Sequence, residues 1–96
     1  MIALKSVRDR RDEILKIADQ FGARDVRIFG SVVRNDARED SDLDLVVRFD
    51  ANRSLMDHAG LVVELEDLLG IKVDVIDADG MQPRFRSIVE KEAQPL

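Results

Sequence analysis

The sequence contains no cysteine, tryptophan or tyrosine; it has one histidine, and its aromatic residues, 4% of the chain, are all phenylalanine. Without cysteine there is no disulfide framework and no thiolate chemistry, which fits a reducing cytoplasm. With a single imidazole and no thiol, a zinc site has no ligand set. So few aromatic rings leave little to stack against a run of bases. The formal net charge of −5, from 15 basic and 20 acidic residues, opposes a nonspecific grip on long nucleic acid, which works by neutralising phosphates. No apolar run approaches the ~20 residues of a membrane span. The N-terminal MIALKSVRDRRDE is too charged for a signal peptide. No repeat or low-complexity segment appears. What remains is 96 residues, 45% of them hydrophobic, read as one domain spanning 1–96 with a core that needs no staples.

The informative stretch is VRIFGSVVRNDAREDSDLDLVVRF, Val26 to Phe49. It reads as strand, tight turn, short helix, loop and second strand. Successive side chains of a strand point to opposite faces, so Asp42 and Asp44 share one face. Leu43, Leu45 and Val47 take the other and can enter a core. Two carboxylates ~4 Å apart repel by several kcal/mol at an effective dielectric near 20. An Asp-x-Asp pair at a strand edge therefore points to a bound cation, and oxygen-only ligands point to Mg²⁺ or Mn²⁺.

A third acid sits in a later apolar strand, IKVDVID, where Asp74 faces away from Val73 and Val75. An ionised Asp within a Val/Ile strand is costly unless it is paired or binds metal. If the two strands are neighbours, Asp42, Asp44 and Asp74 converge, and such a set can hold two metal ions ~3.5–4 Å apart for phosphoryl or nucleotidyl transfer. The Gly30-Ser31 turn adds the other half. Glycine permits close backbone approach, and Ser31 at the N-cap of the following helix opens an anion site suited to a triphosphate. Arg34 has two readings: it reaches the triphosphate, or it pairs with a nearby acid such as Asp36.

Along the rest of the chain, Leu4 to Phe21 has the spacing of an amphipathic helix stopped by Gly22. Its RDRRDE run reads as a solvated face or as a basic patch for a partner. Ser54 and Asp57 resemble a capping box that starts a helix from Leu55 to Leu69. The spacing predicts Leu55, Ala59, Val62, Leu65 and Leu69 as its buried side, with Met56 as core filler and His58 exposed. Asp77 and Asp79 read as loop and cap residues. Pro83 suits the first turn of a last helix with Phe85, Ile88 and Val89 as its apolar stripe, and Arg84 and Arg86 as solvated charges. The order α-β-α-β-α-β-α predicts an α/β (α+β) fold, a small three-stranded sheet with flanking helices.

Gly30-Ser31, ten intervening residues, Asp42-x-Asp44 and a later strand Asp74 together resemble the polymerase-β-type nucleotidyltransferase superfamily. Arg34, Asp36, Ser41 and SDLDLVV resemble its minimal nucleotidyltransferase (MNT) antitoxin branch, whose usual wording is close to GSxxRGxxxxxSDxDLxV. Here Asn35 stands where that wording has glycine. The resemblance implies a mixed-sheet, polymerase-β palm-like core. It implies Asp42, Asp44 and Asp74 as metal-binding and catalytic residues for two Mg²⁺ ions, and Gly30, Ser31 and Arg34 as nucleotide-binding residues for ATP. It further implies AMP transfer to a tyrosine of a cognate HEPN-domain ribonuclease toxin, as the antitoxin of a type VII-like toxin–antitoxin pair. A chain this short has no room for an acceptor domain, so another subunit, in a homodimer or a hetero-oligomer, or the partner protein itself must present the acceptor. Two other classes stand beside this one: a binding-only antitoxin with a vestigial site, and a small-molecule, aminoglycoside-type nucleotidyltransferase.

Overall fold

The helical spacing from Leu4 to Phe21 predicts one helix; the computed structural model, which describes residues 3–34, 36 and 42–96, has two. They are α1 over Leu4–Asp9 and α2 over Arg11–Gln20. No proline or glycine marks the break. It falls at Arg10, whose guanidinium spans from Glu13 to the Leu68 carbonyl, 3.1 Å away. Then follow β1 (Ala23–Phe29), the single-turn α3 (Ser31–Arg34), β2 (Leu43–Phe49), α4 (Leu55–Leu69), β3 (Val73–Asp77), a 3-10 turn (Ala78–Gly80), α5 (Pro83–Glu92) and β4 (Gln94–Pro95).

The sheet has four strands in the order β3-β2-β1-β4, one more than the sequence pattern predicts. The extra strand is the two-residue β4, antiparallel to β1. It is too short to show alternation, and Leu96 just beyond it is buried. β1 and β2 run antiparallel; β2 and β3 run parallel, with α4 as the crossover between them. The sheet is thus mixed, as the resemblance implies.

Alternation sorts the side chains onto two faces. Val26 and Ile28, Leu43, Leu45 and Val47, and Val73 and Val75 enter one core beneath α1, α2 and α4. Phe29, Val46 and Ile76 face the other way, into a smaller core closed by Ala78, Met81, Val89 and Ala93. That second core covers only part of its face, leaving Asp74 exposed and Asp44 half-buried.

The ends of α4 follow the sequence reading. Ser54 Oγ accepts from the Met56 N–H at 3.2 Å, the Ser54 N–H donates to Asp57 at 3.0 Å, and Gly70 closes the helix in the left-handed region. Its buried side follows only in part: Leu65 is buried and Val62 and Leu69 pack half-buried on the core, as the spacing predicts, but Leu61 is fully buried while Leu55 and Met56 are 82% and 81% exposed and Ala59 is exposed too. The helix carries apolar residues almost all round, so more than one stripe fits its spacing. Burial is decided by Phe21, which packs against Gly60 and sets the rotation of the helix.

Candidate active site

β2 and β3 are aligned so that Asp44 stands directly opposite Asp74. In a parallel pair, aligned residues point to the same side, and neighbouring strands lie about 4.8 Å apart. The two carboxylates therefore share the face that the second core leaves open. Asp42 is exposed just ahead of β2, Asp74 is exposed, and Asp44 is half-buried between them. At ~5 Å and an effective dielectric near 20, two such charges repel by about 3 kcal/mol. Asp44 feels this: burial, then the charges of Asp74 and Asp42, hold its carboxyl above the ordinary 3.8, and Arg34 alone pulls the other way.

Gly30 lies beside this cluster, since Phe29 pairs with Asp44 across β1 and β2. Its φ of +85° lies in the region side chains avoid, and a Cβ there would overlap Asp44 Oδ2 and stand 3.2 Å from its Cγ. Two constraints thus select glycine: the turn of the chain and the room taken by a carboxylate. Gly30 rather than Ser31 holds the cap place of α3. Its carbonyl accepts from the Val33 and Arg34 N–H groups, and Ser31 is the first helical residue. The N-cap expected at Ser31 is displaced by one position because the positive-φ glycine already makes the turn.

Arg34 extends from the end of α3 and meets two acids, Asp36 at 3.3 Å and Glu92 of α5 at 3.5 Å. The sequence reading names Asp36; Glu92, far off in the chain, is brought in by the fold. Asn35 and Ser41, both positions of the resemblance, lie outside the described residues.

The donor set suits a hard divalent cation: aspartate oxygens crowded on one surface, with one half-buried and short of positive charge. Among the described residues, no three Asp, Glu or His side chains are posed as a closed cage. The acids form a two-residue floor, Asp44 and Asp74, with the exposed Asp42 at its lip.

Two readings outside this cluster change. His58 is half-buried, its Nε2–H donating to the Val75 carbonyl at 2.7 Å and its ring lying against Phe49, 5.2 Å between centroids. With Arg53, Ser54, Leu55 and Asp77 it lines a shallow cavity at the end of β2 and β3 remote from the acids. Arg86 is not a solvated charge, because its guanidinium reaches the Ala78 and Met81 carbonyls at 3.4 Å. Asp77, as expected, caps a turn, accepting from the Asp79 N–H at 3.0 Å.

This geometry has known counterparts. A solved structure described as a minimal nucleotidyltransferase superposes with a TM-score of 0.89 at 49% identity, covering 99% of this chain and 97% of that one. A toxin–antitoxin crystal structure with AMP-PNP shares the fold at a TM-score of 0.76 and 19% identity, over 88% of this chain and 69% of its own. Among curated proteins, protein adenylyltransferase MntA of Thermococcus cleftensis is 36% identical over 77 residues, 80% of this chain and 78% of its length. A Methanocaldococcus jannaschii protein assigned as a protein adenylyltransferase, MJ0435, is 34% identical over 88 residues, 92% of this chain and 95% of its own. The family model of the nucleotidyltransferase domain matches residues 11–96, and this chain belongs to that family.

Proposed function

We propose that this protein transfers AMP from ATP to a hydroxyl of a partner protein, a tyrosine of a HEPN-domain ribonuclease toxin, and so acts as that toxin's antitoxin in the cytoplasm. The observation that carries the reading is the pairing of Asp44 with Asp74 beside Gly30: an acidic floor meeting a glycine turn on an open sheet face. The names of the relatives support a protein acceptor, and the toxin–antitoxin neighbour supports a nucleotide and a toxin partner.

Asp42 and Asp44 would hold divalent cations, with Asp74 as a further ligand. When bound, these ions, Mg²⁺ by the chemistry of the donors, neutralise the triphosphate and make the acceptor hydroxyl more acidic. Asp74 takes the hydroxyl proton. The acceptor oxygen then bonds to the α-phosphorus as the bond to the pyrophosphate oxygen breaks, and pyrophosphate leaves. The Gly30-Ser31 turn offers backbone N–H groups to the phosphates, and Arg34 leaves Asp36 and Glu92 to meet them. Positioning and fixed charge supply the acceleration, because phosphoryl chemistry asks little covalent help of a protein.

The test mixes the protein with α-labelled ATP, Mg²⁺ and a HEPN-domain toxin encoded beside it. Label should enter the toxin and vanish when the toxin tyrosine becomes Phe, or with Asp42→Asn or Asp74→Asn. If toxin neutralisation survives both Asp variants with no label transferred, the protein masks its partner rather than modifying it, and the reading is wrong. Label entering an aminoglycoside instead would move it to a small-molecule enzyme.

A further inference from the structure

Four phenylalanines are the whole aromatic content, and all four are described. Phe21 packs on Gly60, Phe49 lies against His58, and Phe29 sits in the smaller core. Only Phe85 is exposed, at 40%. Its edge meets Phe29 in a T-shaped contact, centroids 5.9 Å apart and planes at 84°. Phe29 is the residue paired with Asp44 across the strands. The one exposed aromatic ring of the molecule therefore stands one residue's width from the half-buried acid.

The flank of α5 that carries this ring can be oriented. Phe85, Ile88 and Glu92 are spaced three and four apart, so they form one stripe along the helix. Glu92 touches Arg34 and Phe85 touches Phe29, so the stripe faces the open, acidic part of the sheet. Ile88 between them is 47% exposed. Val89, next to it, is fully buried against the sheet and anchors the helix. The result is an uncharged wall bordering a highly charged floor.

Resting on the nucleotidyl-transfer reading above, we infer that this wall, Phe85 with Ile88, is the seat of the nucleobase of the bound nucleoside triphosphate. The strand order separates this occupant from the acceptor. Asp74 lies on β3, the outer strand, whereas Phe85 stands over β1, two strands away. β1 is also the strand that leads into Gly30, Ser31 and Arg34. The nucleotide's phosphates and its base thus lie on the β1 side, and the acceptor comes in at the β3 edge. An apolar wall cannot favour phosphates, but it suits the flat face of a base. Stacking of this kind tolerates any base with a broad ring face, so it makes purines preferred over pyrimidines without reading one purine from the other.

The experiment is calorimetric titration of the whole protein, in Mg²⁺ and without acceptor, with ATP and separately with inorganic tripolyphosphate. Phe85→Ala should weaken ATP binding by roughly 5- to 100-fold and leave tripolyphosphate binding unchanged. Phe85→Tyr should restore ATP binding. Phe85→Leu keeps apolar packing on Phe29 and controls for folding; it should still bind ATP less tightly than the parent. ATP binding unaltered in both Phe85→Ala and Phe85→Leu overturns the inference. So does an equal loss for both ligands, or intact ATP binding with loss of transfer to a protein acceptor, which would make the wall the acceptor's. A parent protein that binds neither ligand sinks the nucleotide reading itself, and this inference with it.

Discussion

Asp44 and Leu45 are adjacent in the chain and belong to opposite faces of one strand. Leu45 is fully buried among aliphatic side chains beneath α1, α2 and α4. Asp44 looks onto a face that α5 only half covers, among acids that oppose its charge. The first face holds the fold together; the second stores unfavourable electrostatics that a bound cation would relieve. Stability and chemistry are thus kept apart by the thickness of a sheet, and substitutions on the two sides should behave as opposites.

The largest effect is expected from Asp44→Asn. Transfer activity should fall by about 10³-fold, the scale on which a preorganised charge contributes to catalysis. Stability should move the other way. The folded-state pKa of Asp44 is raised, so its contribution to stability is full below the unfolded value and is lost as pH rises through the folded one. Removing the charge recovers what is lost above the folded value. After allowing for solvent screening, the metal-free variant should melt roughly 2–5 °C above the parent at pH 7. The gain should shrink as pH falls toward the carboxylate range, as melting curves in chelator at several pH values would reveal.

Leu45→Ala is the counterpart. It empties a fully buried site at a cost of about 3 kcal/mol, a drop of roughly 15 °C in melting temperature. Activity per folded molecule should change far less than for its neighbour. Equal loss of activity from both substitutions would dissolve the distinction between the faces.

Gly30→Ala joins the two kinds of damage. A left-handed φ of +85° costs about 1–2 kcal/mol for a side chain, and the new methyl displaces the Asp44 carboxylate. Turnover should drop by roughly 10²-fold, since a 1 Å misplacement near reacting atoms has that effect. Ser54→Ala is the smallest. Losing the N-cap of α4 costs about 1 kcal/mol, visible in melting and absent from assays of transfer at 25 °C.

The acid cluster was legible in the sequence because strand alternation has a period of two. Once Leu43, Leu45 and Val47 face a core, Asp44 can face only the other way, and Val73 and Val75 do the same for Asp74; Asp42 stands exposed just ahead of the strand. Strand order was not legible: alternation says which way a residue points, not which strand is beside it. The rotation of α4 was only partly legible, right for Val62, Leu65 and Leu69 and wrong for Leu55 and Ala59, because Leu55, Ala59, Leu61, Val62, Val63 and Leu65 offer two overlapping helical stripes. The contact of Phe21 with Gly60 chooses between them. The role of Glu92 as a partner of Arg34 and the placement of Phe85 beside Phe29 are tertiary facts, joining residues more than fifty positions apart. His58 was read as exposed because nothing local marks a side chain that will reach the carbonyl of Val75.

The close fit between Gly30 and the second carboxylate also offers a criterion for judging kindred chains. An intact Asp-x-Asp signature is commonly taken as a sign of activity. Yet a chain that keeps those letters while placing any bulkier residue at the turn has surrendered the space its own acid must occupy. Such a chain should be suspected of having become a silent binder, however faithful the rest of its wording.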